Sequence, residues 1–431
     1  MGIKPNSNVQ PDRLSWPGWL NPALSLIIAM TVPTAAVSLT PDELFTEVTG
    51  LPPASPDFLA RLAVVNAAAV VGLALASCIV PRSRFHYEVE PELFRWRARL
   101  LAGVTTAAYL FFGALVFARG MTPQLALAVL SSEYGALQAS RAAFVPVAGI
   151  TTLVAFGGPA ICALVVSSVH RALTRPEIAA IVVIATGAMA RGFLNAERLA
   201  IMELAIPALL GLVAKRRIRR GAEGLRSASA PALIVAGVGA FALFAAGELL
   251  RPSYQVREGS VDFGSYIYGR FFSYYLSSTA NGEYLSELIS NVPTPTYTAQ
   301  AFWTFPGVDS LISPATIYGY DPSTSFHTML EQYLNPEMNT VGVGPSLLAE
   351  WGLPGASAIV LAMTLALTLA WKAGLHRLTA GAVPLLAVLT IAALESARYP
   401  YYFQGRFVVA ALGALWIYRS RHARRMPTVD E

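Results

Sequence analysis

The chain has 431 residues, of which 55% are hydrophobic and 13% are charged, and its mean hydropathy is +0.51. This composition excludes an ordinary soluble globular protein and a disordered chain, and it is typical of a polytopic membrane protein. The formal net charge of +5 resides mostly in the short loops between apolar segments. It therefore indicates membrane topology and contact with anionic lipids rather than nucleic-acid binding.

Ten apolar segments are each near the roughly 20 residues that a helix needs to cross a bilayer. They are residues 20–39, 61–80, 100–118, 145–169, 177–191, 198–214, 230–250, 342–371, 379–397 and 405–418. The first segment has the basic start of a signal peptide, but its long apolar core with Pro33 favours an uncleaved helix. The fifth segment is short for a span. The eighth is long enough to be a bent or re-entrant helix followed by a true span.

The positive charges orient these segments. With a cytoplasmic N-terminus, 21 of the 31 Lys and Arg residues fall on the cytoplasmic side. Most of them lie in five places: 82–99, 171–175, 215–226, 372–377 and 419–425. Cytoplasmic loops carry an excess of Lys and Arg, so both termini are predicted to be cytoplasmic.

The predicted organisation has three parts: about seven spans in 1–250, a large extracytoplasmic loop at 251–340 and about three spans in 341–431. Ten of the 17 tyrosines lie in the loop. Disordered segments are poor in aromatic residues, so the loop is predicted to fold, as short helices at the membrane rim. Its aromatic side chains suit either a headgroup belt or the binding of sugar rings, and composition does not choose between them.

One helical face in the loop carries polar side chains. Arg270, Tyr274, Ser277 and Asn281 are spaced by 4, 3 and 4 residues, which fits either the wall of a pocket or a solvated face. His327 is the only one of the five histidines that is predicted to lie outside. A single histidine fits a structural or a catalytic role.

Four arginines flank the outer ends of predicted spans: Arg191, Arg198, Arg398 and Arg406. Guanidinium groups near membrane depth are costly unless they are paired or functional, and their planar donors suit phosphate oxygens. Pairing is the alternative, because Glu395 precedes Arg398 by three residues. Glu197 or Glu203 could neutralise Arg198 in the same way. We identify no metal-type His/Asp cluster, and Cys78 and Cys162 fall inside spans.

Three stretches resemble a known family. Residues 339–355 (NTVGVGPSLLAEWGLPG) resemble the signature that follows the large periplasmic loop of Wzy-type O-antigen and oligosaccharide repeat-unit polymerases. Residues 270–282 (RFFSYYLSSTANG) are similar to the start of that loop, and residues 197–201 (ERLAI) to the arginine that opens a central span. The span count, the cytoplasmic termini and one late outer loop also agree with this family.

The resemblance implies an all-α polytopic membrane protein with a GT-C-like fold. It implies an enzyme of the bacterial inner membrane, a metal-independent glycosyltransferase without a cofactor, that is active at the extracytoplasmic face. Donor and acceptor would be oligosaccharides linked to undecaprenyl diphosphate, and the partners would be the lipid bilayer and a chain-length regulator, without nucleic acid.

Roles follow for individual residues. Arg198 and Arg270 would bind the diphosphate, supported by Arg191, Arg398 and Arg406, because arginines stabilise charge on a leaving group. The base would be Glu350, His327 or Glu203, with Glu350 ahead of His327 because its apolar neighbours would desolvate it. The sugar-binding residues would be Tyr274, Tyr275, Asn281 and Trp303.

Two alternatives stay open. An O-antigen ligase is related, but ligases typically carry a histidine directly before the Asn of the signature, where this chain has Met338. A flippase or other transporter of lipid-linked oligosaccharides would place charges near mid-membrane and show related halves, whereas this chain groups its charges at the outer ends of spans.

Overall fold

The computed structural model describes most of the chain and is almost entirely helical. The described residues are 15–79, 85–131, 133, 135–147, 149–169, 171–195, 197–220, 239, 241–242, 245–246, 248, 263–289, 295–319, 322–333, 335 and 338–425. The predicted span at 230–250 lies outside the described residues except for six helical positions between 239 and 248.

The helices are, in chain order, α1 (Pro22–Leu39), α2 (Asp42–Thr49), α3 (Pro56–Cys78), α4 (Pro91–Ala118), α5 (Pro123–Leu130), α6 (Ala136–Ala143), α7 (Ile150–Ser167, with a 3-10 turn at Val154–Phe156), α8 (Arg175–Leu194), α9 (Arg198–Arg220), α10 (Phe263–Ile289), α11 (Gln300–Trp303), α12 (Val308–Leu311), α13 (Pro314–Tyr318), α14 (Pro322–Tyr333), α15 (Val343–Ala370), α16 (Ala382–Glu395) and α17 (Gly405–Tyr418).

Six of these helices are long and apolar enough to cross a membrane: α1, α3, α4, α7, α8 and α15, the last of which continues to Leu375. The apolar helices α16 and α17 are shorter, at 14 residues each. The fifth predicted segment, 177–191, forms a longer helix than its apolar residues suggest. Helix α8 begins after a capping box between Thr174 and Glu177 and runs for 20 residues. The fold is thus that of a helical membrane protein.

Helix α15 contains the bend that its length predicted. Gly352 interrupts it with φ +62° and ψ −179°, and Pro354 follows inside the same helix. A left-handed φ favours glycine, and a proline within a helix removes a hydrogen bond, so both residues explain the break. Glu350 therefore lies in a short first arm that ends at Trp351, apart from the longer apolar arm beyond.

A short two-stranded ribbon accompanies the helices. Strand β1 (Phe85–Val89) pairs antiparallel with β2 (Arg421–Arg425), with Phe85 opposite Arg425. Ser15 forms an isolated bridge with Arg377. These contacts join segments that the charge distribution places on one side of the membrane.

The large loop also differs from its prediction. Instead of short helices alone, it contains the 27-residue helix α10, which packs against α15, α1 and α2. Leu285 and Ile289 of α10 form a small core with Phe326 and Leu330 of α14. The described part of the loop is therefore folded onto the membrane helices.

Helices α3 and α15 approach closely at Gly72, where a Cβ atom would lie 2.2 Å from Thr364 Oγ1 and 2.6 Å from the Leu361 carbonyl. We expect Gly72→Val to destabilise the purified protein by roughly 1–3 kcal/mol, because overpacking forces the helices apart. The matched control is Gly103→Val on α4, where a Cβ would meet nothing within 4 Å. Thermal unfolding in detergent measures both, and equal unfolding temperatures would contradict this view of the contact.

Candidate functional site

A cavity of about 730 Å³ lies where the ends of several helices meet. The last turn of α8, the residues before α9, helix α11 and the turn from α16 to α17 all line it. The lining side chains are Phe112, Phe144, Pro146, Thr151, Thr152, Arg191, Asn195, Glu197, Leu199, Gln300, Trp303, Thr304, Thr340, Arg398, Tyr399, Gln404 and Arg406, together with Gly405. Three of the predicted arginines thus share one cavity with the predicted Trp303.

Glu197 joins two of these arginines. The Arg191 guanidinium donates from Nε to Glu197 Oε2 at 3.1 Å and from Nη2 to Oε1 at 2.7 Å, and Arg406 Nη1 donates to Oε1 at 2.9 Å. Burial alone would raise the pKa of Glu197, but Arg406 and Arg191 outweigh it and hold that pKa below its usual value. Glu197 is therefore ionised and fixes both arginines at the cavity wall.

Arg398 and Arg406 keep donors for a ligand. Arg398 Nη2 donates to Glu395 Oε2 at 2.7 Å, which is the pairing that the sequence offers as the alternative to an anion site. The Glu395 carboxylate raises the pKa of Arg398, which stays charged. The two arginine side chains are 27% and 31% exposed. Arg398 Nε and Nη1, and Arg406 Nε and Nη2, have no hydrogen-bond partner among the described residues, so these atoms can bind an anion in the cavity.

Two glutamines and a tyrosine form a polar wall beside the arginines. Gln404 Nε2 donates to Gln300 Oε1 at 3.2 Å, and the Tyr399 hydroxyl donates to the same oxygen at 3.5 Å. Burial raises the pKa of Tyr399, so its hydroxyl stays protonated and remains a donor. Because Gln300 Oε1 is occupied, its amide nitrogen is the group that remains for a ligand.

Trp303 supplies the apolar part of the cavity. Its indole nitrogen donates to the Pro295 carbonyl at 2.8 Å, and its ring contacts Phe302 and Tyr318 edge-on. The ring is thereby fixed at the cavity surface. An aromatic face next to amides and guanidinium groups suits a ligand that combines a sugar ring with a phosphate.

Of the three predicted bases, Glu203 is the one in contact with a cavity residue. It accepts a hydrogen bond from the Tyr401 hydroxyl at 2.5 Å, and its Oε1 lies 3.3 Å from Arg406 Nη1. His327 is exposed on α14, where its ring contacts Phe326. Neither His327 nor Glu203 is among the residues that line the cavity, but Glu203 contacts the lining residue Arg406.

Glu350 is buried, at 1% exposure, and holds a turn of the large loop. Its Oε1 accepts from the backbone nitrogens of Thr296 at 2.8 Å and Tyr297 at 2.5 Å. Its Oε2 accepts from the nitrogen and the hydroxyl of Thr298 at 3.0 and 2.5 Å. The neighbouring Trp351 Nε1 donates to the Thr298 hydroxyl at 2.8 Å. This turn leads directly into α11, so Glu350 positions the segment that carries Gln300 and Trp303.

We expect Glu350→Gln to raise KM by about tenfold, because its amide would replace Oε2, the acceptor for Thr298, and loosen α11. A positioning role predicts that the pH profile of kcat keeps its shape, since no proton passes through Glu350. Limited proteolysis should cut faster between 296 and 305 in this variant. Loss of the acidic limb of the pH profile, without faster proteolysis, would restore Glu350 as the base.

The predicted stripe on α10 faces the protein interior rather than solvent. Arg270, 9% exposed, lies 3.3 Å from Glu248 Oε2, and its guanidinium is 5.5 Å from the Tyr274 ring centroid. Asn281 Nδ2 donates to the carbonyls of Met338 and Thr340, the latter at 2.9 Å. Since Thr340 lines the cavity, Asn281 of this stripe holds part of the cavity wall through its hydrogen bond to the Thr340 carbonyl.

Of the remaining predicted residues, Tyr275 is not among those that line the cavity, and the side chain of Arg198 is not among the described ones. Tyr275 is half-buried and packs against Phe271, with ring centroids 5.2 Å apart. Arg198 opens α9 beside the cavity, but its side chain lies outside the described part of the chain. Glu197 was predicted as a partner of Arg198, and the structure pairs it with Arg191 and Arg406.

Comparisons with models of protein families, with curated proteins and with solved structures give no match. Within the described residues, no group of three or more His, Cys, Asp or Glu side chains is arranged to hold a metal ion. The geometry of the cavity therefore carries the functional argument, together with the sequence resemblance.

Proposed function

We propose that the protein is a membrane glycosyltransferase that polymerises undecaprenyl-diphosphate-linked oligosaccharide repeat units into O-antigen, capsule or exopolysaccharide. The observation that carries this proposal is the cavity in which Arg398 and Arg406 hold unused donors beside Trp303 and Gln300. A lipid diphosphate that carries a sugar has an anionic group for the two arginines and a ring for Trp303. The choice of an undecaprenyl-diphosphate-linked oligosaccharide as the substrate rests on the sequence resemblance at residues 197–201, 270–282 and 339–355.

Arg398 and Arg406 would bind the diphosphate of the donor. Charge develops on this leaving group as the glycosidic bond breaks, and fixed guanidinium groups stabilise it without reorganisation. Arg191 would act through Glu197, which it helps to hold against Arg406. Arg270 would act through α10, because its guanidinium lies against Glu248 and Tyr274.

Glu203 would deprotonate the acceptor hydroxyl. Its carboxylate is the predicted base that lies nearest to the proposed diphosphate site, and the Tyr401 hydroxyl orients it. Trp303 would stack on the sugar, and the Gln300 amide would donate to one of its oxygens. The reaction then joins the acceptor oxygen to the donor sugar and releases undecaprenyl diphosphate.

We further propose that both termini are cytoplasmic and that the cavity is extracytoplasmic, in the bacterial inner membrane. In a variant with Cys78 and Cys162 replaced by serine, Ala315→Cys on α13 should react with an impermeant thiol reagent in intact cells. Ala172→Cys, also exposed, should react only after the cells are opened. The reverse labelling pattern would contradict this orientation.

The function is tested by deletion of the gene and separation of the surface glycan on a gel. Loss of the long-chain ladder with single repeats retained is the result expected for a polymerase. Loss of every repeat would point to a ligase or a flippase instead. Complementation with the wild-type chain should restore the ladder.

A further inference from the structure

A second, smaller cavity of about 180 Å³ lies at the other ends of two helices that reach the candidate site. Helix α8 runs from Glu177, beside this cavity, to Arg191 at the candidate site. Fourteen residues of helix separate them by about 21 Å. The side chains that line the small cavity are Val89, Pro91, Glu92, Phe94, Arg95, Arg99, Ser167, Arg171 and Ala380.

Arg95 lines this cavity and is held in place by Glu177. Arg95 donates to Glu177 from Nε at 2.7 Å and from Nη2 at 2.5 Å, and to the carbonyls of Arg171 and Ala172 at 3.2 and 2.8 Å. The same carboxylate accepts from the backbone nitrogen of Thr174 at 2.7 Å. Because these groups form hydrogen bonds with one another, they hold the local structure in place. A ligand would be bound by other side chains.

Arg99 and Arg171 supply the unused donors. Arg99 donates from Nε to Glu177 at 2.7 Å and is 43% exposed, and its two Nη atoms have no partner among the described residues. The exposed Arg171 side chain has no described partner either. Among the side chains that line the cavity, three are arginines and one, Glu92, is acidic, and Glu177 pairs with Arg95 and Arg99. The start of α4 adds its positive dipole end there.

Aromatic side chains next to the cavity place it at the level of lipid headgroups. Trp96 on α4 is 53% exposed and contacts the Trp416 ring edge-on, with centroids 5.8 Å apart. The Arg97 guanidinium lies 5.3 Å from the centroid of the same Trp416 ring. Tryptophan rings flanked by arginine are typical of the membrane–water interface, and Leu100, also exposed, continues the apolar surface toward the bilayer.

We propose that the cavity between Arg99 and Arg171 binds the phosphate of an anionic phospholipid headgroup, with the acyl chains lying along Trp96 and Leu100. Two guanidinium groups with free Nη donors match the oxygens of one phosphate. The adjacent apolar surface distinguishes a lipid from a free phosphate. This site is separate from the proposed polymerase cavity and does not depend on that function.

Native mass spectrometry of the full chain in detergent tests the proposal. The probes are dioleoylphosphatidylglycerol, dioleoylphosphatidylcholine and inorganic phosphate. The variant is Arg99→Gln with Arg171→Gln, and the matched control is Arg61→Gln with Arg119→Gln, which removes the same charge from exposed positions. We expect the anionic lipid to bind the variant at least tenfold more weakly than the wild type and the control.

Equal affinity of the variant and the wild type for the anionic lipid would overturn the proposal. So would equal binding of the two lipids by the wild type, or a loss in the variant that affects inorganic phosphate alone. Thermal unfolding checks that the double variant is folded. If it is not, Arg171→Gln alone, which changes an exposed side chain without a described partner, should still weaken the anionic lipid by about threefold.

Discussion

Arg406→Ala is expected to abolish chain elongation. The guanidinium is the one that contacts both Glu197 and Glu203, and its free Nε and Nη2 are placed for the leaving diphosphate. Loss of one donor group at a site of developing charge costs roughly 10²–10³ in rate. The measurement is polymer formation from the lipid-linked repeat unit by membranes of equal protein content, and the same loss is expected for Arg398→Ala.

The controls separate binding from folding. Arg406→Lys keeps the charge but not the planar fork, so we expect partial rescue. Arg119→Ala removes an exposed arginine that donates to the Val145 carbonyl, and it should retain activity. If the alanine variants at Arg406 and Arg398 disappear from the membrane while their lysine variants polymerise normally, the two arginines are packing residues and the diphosphate is bound elsewhere.

Glu203→Gln is expected to lower kcat by about a hundredfold, because the amide keeps the shape of the side chain but cannot take a proton. The Tyr401 hydroxyl can still donate to the amide oxygen, so the local packing is retained. Rates are measured with saturating donor, so that the change in kcat is not mistaken for weaker binding.

The contrast with Glu350→Gln makes this prediction specific. Glu203→Gln should lower kcat, whereas Glu350→Gln should raise KM and proteolytic accessibility. If Glu203→Gln polymerises at the wild-type rate, the proton is taken by a group other than Glu203.

Local patterns in the sequence predicted local features well. Hydropathy predicts helices α1, α3, α4, α7, α8 and α15, because a run of about twenty apolar residues is typical of a membrane-spanning helix. The spacing of Glu395 and Arg398 offers their ion pair as an alternative, and the unusual length of 342–371 indicates a bent or re-entrant helix without locating the break at Gly352. Each of these features depends on residues within a few turns of one another.

Contacts between distant segments were not predictable in this way. The apolar neighbours of Glu350 predict that it is buried, and it is 1% exposed. Its partners, however, are backbone groups more than fifty positions earlier. Gln300 and Gln404 meet across 104 positions without a motif in either segment. A single sequence gives no signal for such pairs, since both glutamines look like ordinary surface residues.

The carboxylate of Glu197, shared by Arg191 and Arg406, has a genetic consequence. When Arg406 is replaced by alanine, the acidic side chain keeps one of its two positive neighbours, and Glu203 loses the only arginine with a described contact to it. Neutral second-site replacements at Glu203 should therefore raise the unfolding temperature of the Arg406→Ala protein more than neutral replacements at Glu197. Such double variants would gain stability without recovering the glycan, and this result would separate charge balance from catalysis.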